Sequence, residues 1–342
     1  MESLVIARPF NAHVHLRRGK MLEAVIGYET SVFAASVVMP NDPPITDADE
    51  TNRYFREMLR AETTHSPTTN FDFLMTIMLT DATTPKIIRG AFGEGAVAGK
   101  HYPMGVTTGS AHGVSDHRGL WPAYGEMERL GMPLSIHGEM PGVSPFEAEQ
   151  AFIPVIEEIA GAFPNLRIIM EHLSTWEAVE FVLRTRNVFG TITAHHLSLT
   201  WRDVYEEDRK TIKNPWAFCK PIAKEEDDRL ALIQAATSGA SDFFFGSDSA
   251  PHPPEKKQGD NPAAGIFVPG EVAIAVVAEI FEKAGALPQL EAFLSLSGPK
   301  FYGLEPSRET LKLIRQPWQL PATYGNLVPL AAGGTLSWQI AR

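Results

Sequence analysis

Two histidines one residue apart, in Ala12-His13-Val14-His15-Leu16, form the first chemistry-bearing pattern in the chain. On an extended strand alternate side chains share a face, so both imidazoles point the same way at a spacing suited to one metal ion. With 11 histidines in 342 residues such a pair arises readily by chance, and two satisfied histidines account for it equally well. Four further residues close short β-rich runs: Lys100 after Ala96-Val97-Ala98-Gly99, His137 after Leu134-Ser135-Ile136, His172 after Ile168-Ile169-Met170-Glu171, and Asp248 in Gly246-Ser247-Asp248. Singly, a strand-end aspartate caps a helix and a lysine is a solvated surface group. Five runs that end in such groups point to a shared site.

Lys100 sets the chemistry. An ammonium beside divalent cations is repelled and has no lone pair to offer. A neutral amine can add carbon dioxide and become a carbamate, an anion whose two oxygens bridge two metals. His13, His15 and Asp248 then complete the shell of one metal and His137 and His172 that of the other, with a bridging hydroxide in the remaining position. Two cations lower the pKa of bound water and polarise a carbonyl under attack. Asp248 is placed to take the proton and deliver it to a leaving nitrogen.

Such groups need a scaffold that brings distant segments together. Strand-like runs fall at Ala12 to Leu16, Ser36 to Met39, Phe71 to Leu79, Ala96 to Tyr102, Leu134 to His137, Arg167 to His172, Thr191 to His195 and Asp242 to Phe245. Helical periodicity lies between them, at Met21 to Tyr28, Asp47 to Arg60, Tyr124 to Leu130, Phe146 to Phe163, Thr175 to Arg184 and Lys224 to Ala236. Pro154 should kink or divide the fourth of these. Strand alternating with helix implies parallel strands, and eight units with runs apolar on both faces favour a closed barrel. The reading is an α/β chain, a (β/α)8 TIM-type barrel whose C-terminal strand ends carry the site. A Pro/Gly-rich stretch, Pro251 to Pro269, leads to a closing helix at Glu271 to Ala284. Residues 298–342 form a short C-terminal extension packed on the barrel, and no repeat or linker marks a second domain within 1–342.

Composition narrows the function. Thirty basic against 41 acidic side chains give a net charge of −11, which argues against nucleic-acid binding. The single cysteine forms no intrachain disulfide and suits a reducing compartment. The N-terminal Leu4-Val5-Ile6-Ala7 is too brief for a signal core, and no apolar run approaches a membrane span, so a cytoplasmic protein is expected.

The ordered set His13-x-His15, Lys100, His137, His172 and Asp248 resembles the amidohydrolase superfamily. More closely, His13-Val14-His15-Leu16-Arg17, Met39-Pro40-Asn41, Lys100-His101-Tyr102-Pro103, His137-Gly138-Glu139, Glu171-His172, Gly246 to His252 and Gly298 to Gly303 resemble the short, single-domain dihydroorotases. The resemblance spans about residues 10 to 305. It implies reversible, zinc-dependent interconversion of N-carbamoyl-L-aspartate and L-dihydroorotate in pyrimidine synthesis. It also implies two zinc ions per chain bridged by carboxylated Lys100, and relatives of this kind are often homodimers. Substrate-carboxylate contacts carry over onto Arg17, Asn41 and His252, with backbone near Ala264-Gly265, as a guanidinium fork suits. Thr107 and Thr108 match a loop that closes over substrate, and Cys219-Lys220-Pro221 a segment whose backbone meets the substrate amide. Bacterial relatives often carry an apolar residue in place of Lys220. His195-His196, expected at the end of the seventh strand, has no ligand role in this reading. A hydantoin or dihydropyrimidine hydrolase fits less well, since those substrates need no carboxylate trio. A non-catalytic barrel is disfavoured by the complete ligand set.

Overall fold

Strands whose two faces are both apolar form where each face has a layer to enter. Ile168 and Met170 pack outward against the helices while Ile169 between them joins Ala12, Val37 and Phe244 inside. Phe243, Phe244 and Phe245 divide the same way. The computed structural model describes residues 2–65, 70–259 and 261–341; Met1, Asp260 and Arg342, which fall in runs considered above, lie outside the described residues. The strands are β1 Ser3–Ala7, β2 Phe10–Val14, β3 Ala35–Val38, β4 Asp72–Leu79, β5 Ala98–His101, β6 Leu134–Ile136, β7 Ile168–Met170, β8 Val188–Ile192, β9 Phe243–Phe245, β10 Thr310–Gln319 and β11 Thr335–Ile340.

β2 to β9 pair in chain order, every pair parallel, as the strand–helix alternation predicts. The ring is joined between its ends by a parallel bridge of Val14 to Ser249, with Asp248 N donating to His13 O (2.9 Å) and His15 N to Ser249 O (3.0 Å). The chain is a (β/α)8 barrel. Its closing seam is also where His13, His15 and Asp248 meet, so barrel closure and site assembly are one event.

The periodic segments are helical at Gly19–Thr30, Ala48–His65, Trp121–Leu130, Ala148–Ala162, Trp176–Arg184, Glu226–Thr237 and Gly270–Lys283. A further helix, Pro85–Gly93, was not evident from periodicity; Thr84 caps it and Pro85 begins it. Two expectations are corrected. Ala148–Ala162 runs through Pro154 undivided, because burial of Phe152, Ile153, Ile156 and Ile159 offsets one missing hydrogen bond, about 3 kcal/mol. β8 ends at Ile192, so His195 and His196 lie in a short helix, Ala194–Ser198, capped by Thr193, rather than at a strand end. Among the described residues no helix is long and apolar enough to cross a membrane.

The chain's two ends form a second sheet, β1-β10-β11, antiparallel throughout. It is tied to Gly270–Lys283 by Ser337 N to Glu279 and Trp338 Nε1 to Glu282, both 3.1 Å. Helix Ser297–Tyr302 sends Phe301 into the barrel interior, 4.8 Å from Phe189 and 5.3 Å from Phe244 between ring centroids. Gly298 lets it approach, since a Cβ there would lie 2.6 Å from the Phe10 ring.

Candidate active site

Three ligand atoms converge at the seam. His13 Nε2 and His15 Nε2 lie 3.3 Å apart, and each is 3.2 Å from Asp248 Oδ1. His13 donates from Nδ1 to Glu171 Oε2 (2.9 Å), which leaves its Nε2 lone pair directed into the cluster. Across the mouth His137 Nδ1 and His172 Nε2 are 3.2 Å apart, and His137 donates from Nε2 to Glu139 Oε2 (2.7 Å). Both carboxylates therefore fix tautomers that present ligating nitrogens inward. Burial holds His15 neutral, near pKa 3, and keeps His172 well below its ordinary value. Burial alone would raise Asp248, yet the neighbouring His13 and His15 hold its carboxyl well below the usual range.

Lys100 projects from β5 between Met78 and Ser135, fully buried, and its Nζ has no hydrogen-bond partner. The nearest anion is Glu171 Oε1 at 3.9 Å, and the ammonium sits 5.2 Å above the Tyr102 ring. Burial pushes the amine down to about 8 despite Glu171 and Asp248. An orphaned, readily neutralised amine beside two sets of inward-facing imidazoles suits conversion to an anionic bridge. The donor set fits a metal centre. A second group within ligand range, His195, His196 and Cys219, is partly spent: His196 Nε2 and Cys219 Sγ both donate to Pro221 O, at 3.0 and 3.2 Å.

The opposite wall carries hydrogen-bond donors. Arg17 Nε donates to Pro251 O (3.1 Å), and its Nη2 lies 3.1 Å from His252 Nε2. His252 Nε2 is also 3.0 Å from Ala264 O. A carbonyl only accepts, so Nε2 carries the proton, and Arg17 Nη2 is left with an N–H available to an anion. Burial and Arg17 keep His252 neutral, near pKa 3. Asn41 Nδ2 donates to Thr108 O (2.8 Å), Thr108 Oγ1 to Ala264 O (3.4 Å), and Lys220 Nζ to Val106 O (2.7 Å). These three contacts hold the loop after β5 across the mouth, leaving a space of only about 20 Å³ beneath it. That is room for about one water with the loop in this position. All the expected site residues meet here: Thr107, Thr108, Lys220 and Ala264 line this space with Arg17, Asn41 and five of the metal-site donors, while Lys100 and His252 stand just behind it.

Several residues gain roles that the sequence reading did not assign. Glu171 accepts from His13, Thr191 (2.6 Å) and Ser135; burial would raise it, but Lys100 and His13 leave its carboxyl near pKa 2. Its place beside His172, and that of Glu139 two residues past His137, were the available signals. Arg17, His172 and Asp248 have φ of 62°, 42° and 43°, left-handed values that cost non-glycine residues about 1–3 kcal/mol each. Such cost concentrated at the mouth marks a site that the surrounding fold imposes. The charged segment 198–216 has its own account: Trp201, Val204, Tyr205 and Phe218 form a small separate core, with the Arg202 and Arg209 guanidiniums each 4.4 Å from the Trp201 ring.

A parallel (β/α)8 barrel with histidines, a buried lysine and an aspartate at its strand ends defines an amidohydrolase, and a family model described as amidohydrolase matches residues 31–264. A dihydroorotase of Teredinibacter turnerae is 41% identical over 352 aligned residues, covering 100% of this chain and 99% of its own. The crystal structure of dihydroorotase from Saccharomyces cerevisiae in complex with 5-fluoroorotic acid matches with a TM-score of 0.90 at 33% identity, covering 100% of this chain and 99% of its own. That of Campylobacter jejuni gives 0.89 at 34%, covering 100% and 98%. The chain belongs to the dihydroorotase family, whose members are hydrolases of a cyclic amide.

Proposed function

We propose that this chain catalyses the reversible, zinc-dependent cyclisation of N-carbamoyl-L-aspartate to L-dihydroorotate in the de novo pyrimidine (UMP) pathway. The observation that carries the proposal is the meeting of His13, His15 and Asp248 within 3.3 Å, beside orphaned Lys100 and the His137–His172 pair, facing Arg17. His13, His15 and Asp248 would hold one zinc and His137 and His172 another, with carboxylated Lys100 between them. When bound, the two cations supply Lewis acidity toward the scissile carbonyl and a water made acidic enough to attack at neutral pH.

The chain's own residues do the rest. Asp248, held anionic, accepts a proton from the attacking water and passes it to the ring nitrogen as the C–N bond breaks; in ring closure the proton travels the other way. Arg17, Asn41 and His252, with backbone at Ala264, clamp the substrate carboxylate, backbone at Lys220 meets the amide edge, and Thr107 and Thr108 close over it. The yeast relative was solved in complex with 5-fluoroorotic acid, a flat ring bearing a carboxylate, which supports a substrate of that class. In this reading residues 1–342 work as one catalytic domain, in the cytoplasm and as a homodimer.

Metal analysis of protein purified without chelators, combined with a dihydroorotate assay, tests the proposal. Zinc at about two per chain and turnover that chelation abolishes are expected. Faster turnover of dihydrouracil than of dihydroorotate would overturn the substrate.

A further inference from the structure

Lys257 ends the charge run Glu255-Lys256-Lys257 within the Pro/Gly-rich stretch. In the fold it is 2% exposed. Its ammonium has three N–H groups and three acceptors, Phe218 O at 3.2 Å, Ala263 O at 2.9 Å and Gly265 O at 2.6 Å. The pull on Ala263 and Gly265 turns the carbonyl between them the other way. Ala264 O therefore faces the mouth, where it accepts from His252 Nε2 (3.0 Å) and Thr108 Oγ1 (3.4 Å). Phe218 O also accepts from Gly265 N (3.0 Å), so the ammonium ties the segment leading into Lys220 to the segment carrying Ala264. Gly265 allows the close passage: at φ 142° a Cβ would lie 2.6 Å from Ala250 O.

We propose that Lys257 is a positioning residue for the carboxylate end of the substrate: by holding the Ala263 and Gly265 carbonyls it aims the Ala264 carbonyl at His252, fixing the His252 ring and its protonated nitrogen beside Arg17. The proposal rests on the reading of Arg17 and His252 as the carboxylate wall, in which His252, by donating to Ala264 O, leaves an Arg17 Nη2 N–H free for the anion. Lys257 touches neither substrate nor the metal-site residues, so its loss leaves the reacting centre intact and blurs one wall.

Lys257→Met keeps the apolar stem and removes all three donors. KM for dihydroorotate should rise about tenfold while kcat stays within about threefold and metal content is unchanged. Lys257→Arg, which restores donors, should recover part of the KM. In selectively ¹⁵N-histidine-labelled protein the His252 ring should show one Nε2–H tautomer in the parent and tautomer averaging in the methionine variant. A lower melting temperature with unchanged KM and an unchanged His252 spectrum would reduce Lys257 to a structural staple and overturn the proposal. An unchanged KM with a lowered kcat would overturn it too. If the methionine variant does not accumulate, Lys257→Gln, whose shorter amide removes the ammonium and one of its three donors, gives the same comparison. Absence of dihydroorotate turnover in the parent would sink the substrate reading instead, and the His252 spectrum would still decide the role of Lys257.

Discussion

Asp248 shows how little side-chain identity decides by itself. Its carboxylate lies 3.2 Å from the Nε2 atoms of two imidazoles, and the backbone beneath it, at φ 43°, donates a hydrogen bond to His13 O. Asp248→Asn preserves shape and removes the proton acceptor, so kcat should fall by about 10²–10⁴-fold while circular dichroism stays unchanged; near-normal turnover would exclude proton transfer through this residue. Lys100 is the other residue whose environment is decisive, a buried amine with no partner. Lys100→Ala should lose bound metal and activity together, and a short carboxylic acid supplied in solution should restore part of both, read by metal content and rate. Full activity without the acid would remove the bridging role. Arg17→Lys trades a planar fork for a point charge and should raise KM for dihydroorotate by about tenfold, with kcat little altered.

At the scale of elements, the loop after β5 is the most exacting piece. Gly109 has φ 71°, and a Cβ there would fall 1.9 Å from Asn41 O, so backbone would collide with backbone. Gly109→Ala should cost about 1–3 kcal/mol of loop stability, seen as a higher KM for dihydroorotate and faster amide exchange over 103–110, with exchange in β10 and β11 unaffected. Strand and helix types were readable because apolar periodicity follows local burial, and the runs at β3, β4 and β6 matched closely. Ends were harder to read. β8 stops at Ile192 because Thr193 can cap a helix, and β2 shifts register against β3 between Asn11 and Val14, where His13 sits. β1, β10 and β11 escaped because their partners lie at opposite ends of the chain.

For the whole molecule, net charge and buried acids set behaviour that no single element controls. With −11 overall, the anionic substrate proposed above would be captured by local positive charge at the mouth against the mean field. Burial raises the Glu29 carboxyl to about 7, although Ser36 and Asn11 donate to it, and burial raises Glu149 to about 7 against Lys224. Between pH 4.5 and 7 the folded state thus binds more protons than the unfolded chain. The slope of stability with pH is negative there, and the contribution present below pH 4.5 is lost by about pH 7, on the order of 3 kcal/mol per group. Glu29→Gln should flatten part of the decline in melting temperature between pH 5 and 7.5. A profile that parallels the parent's would show that Glu29 is ionised throughout.

Sequence alone determined the alternation of strands and helices, and with it a parallel barrel, because hydrophobic period is a local property. It also placed His13, His15, His137, His172, Lys100 and Asp248 at or near strand ends, since in a barrel each strand delivers its terminal residues to one rim. Only the tertiary structure decided which nitrogen His13 turns inward, because Glu171, which sets that tautomer, comes within hydrogen-bond reach through closure of the ring. The same holds for the left-handed backbone at Arg17, His172 and Asp248, and for Lys257, whose three carbonyl partners come from segments up to 39 residues away. Long-range hydrogen bonds leave no period in a sequence.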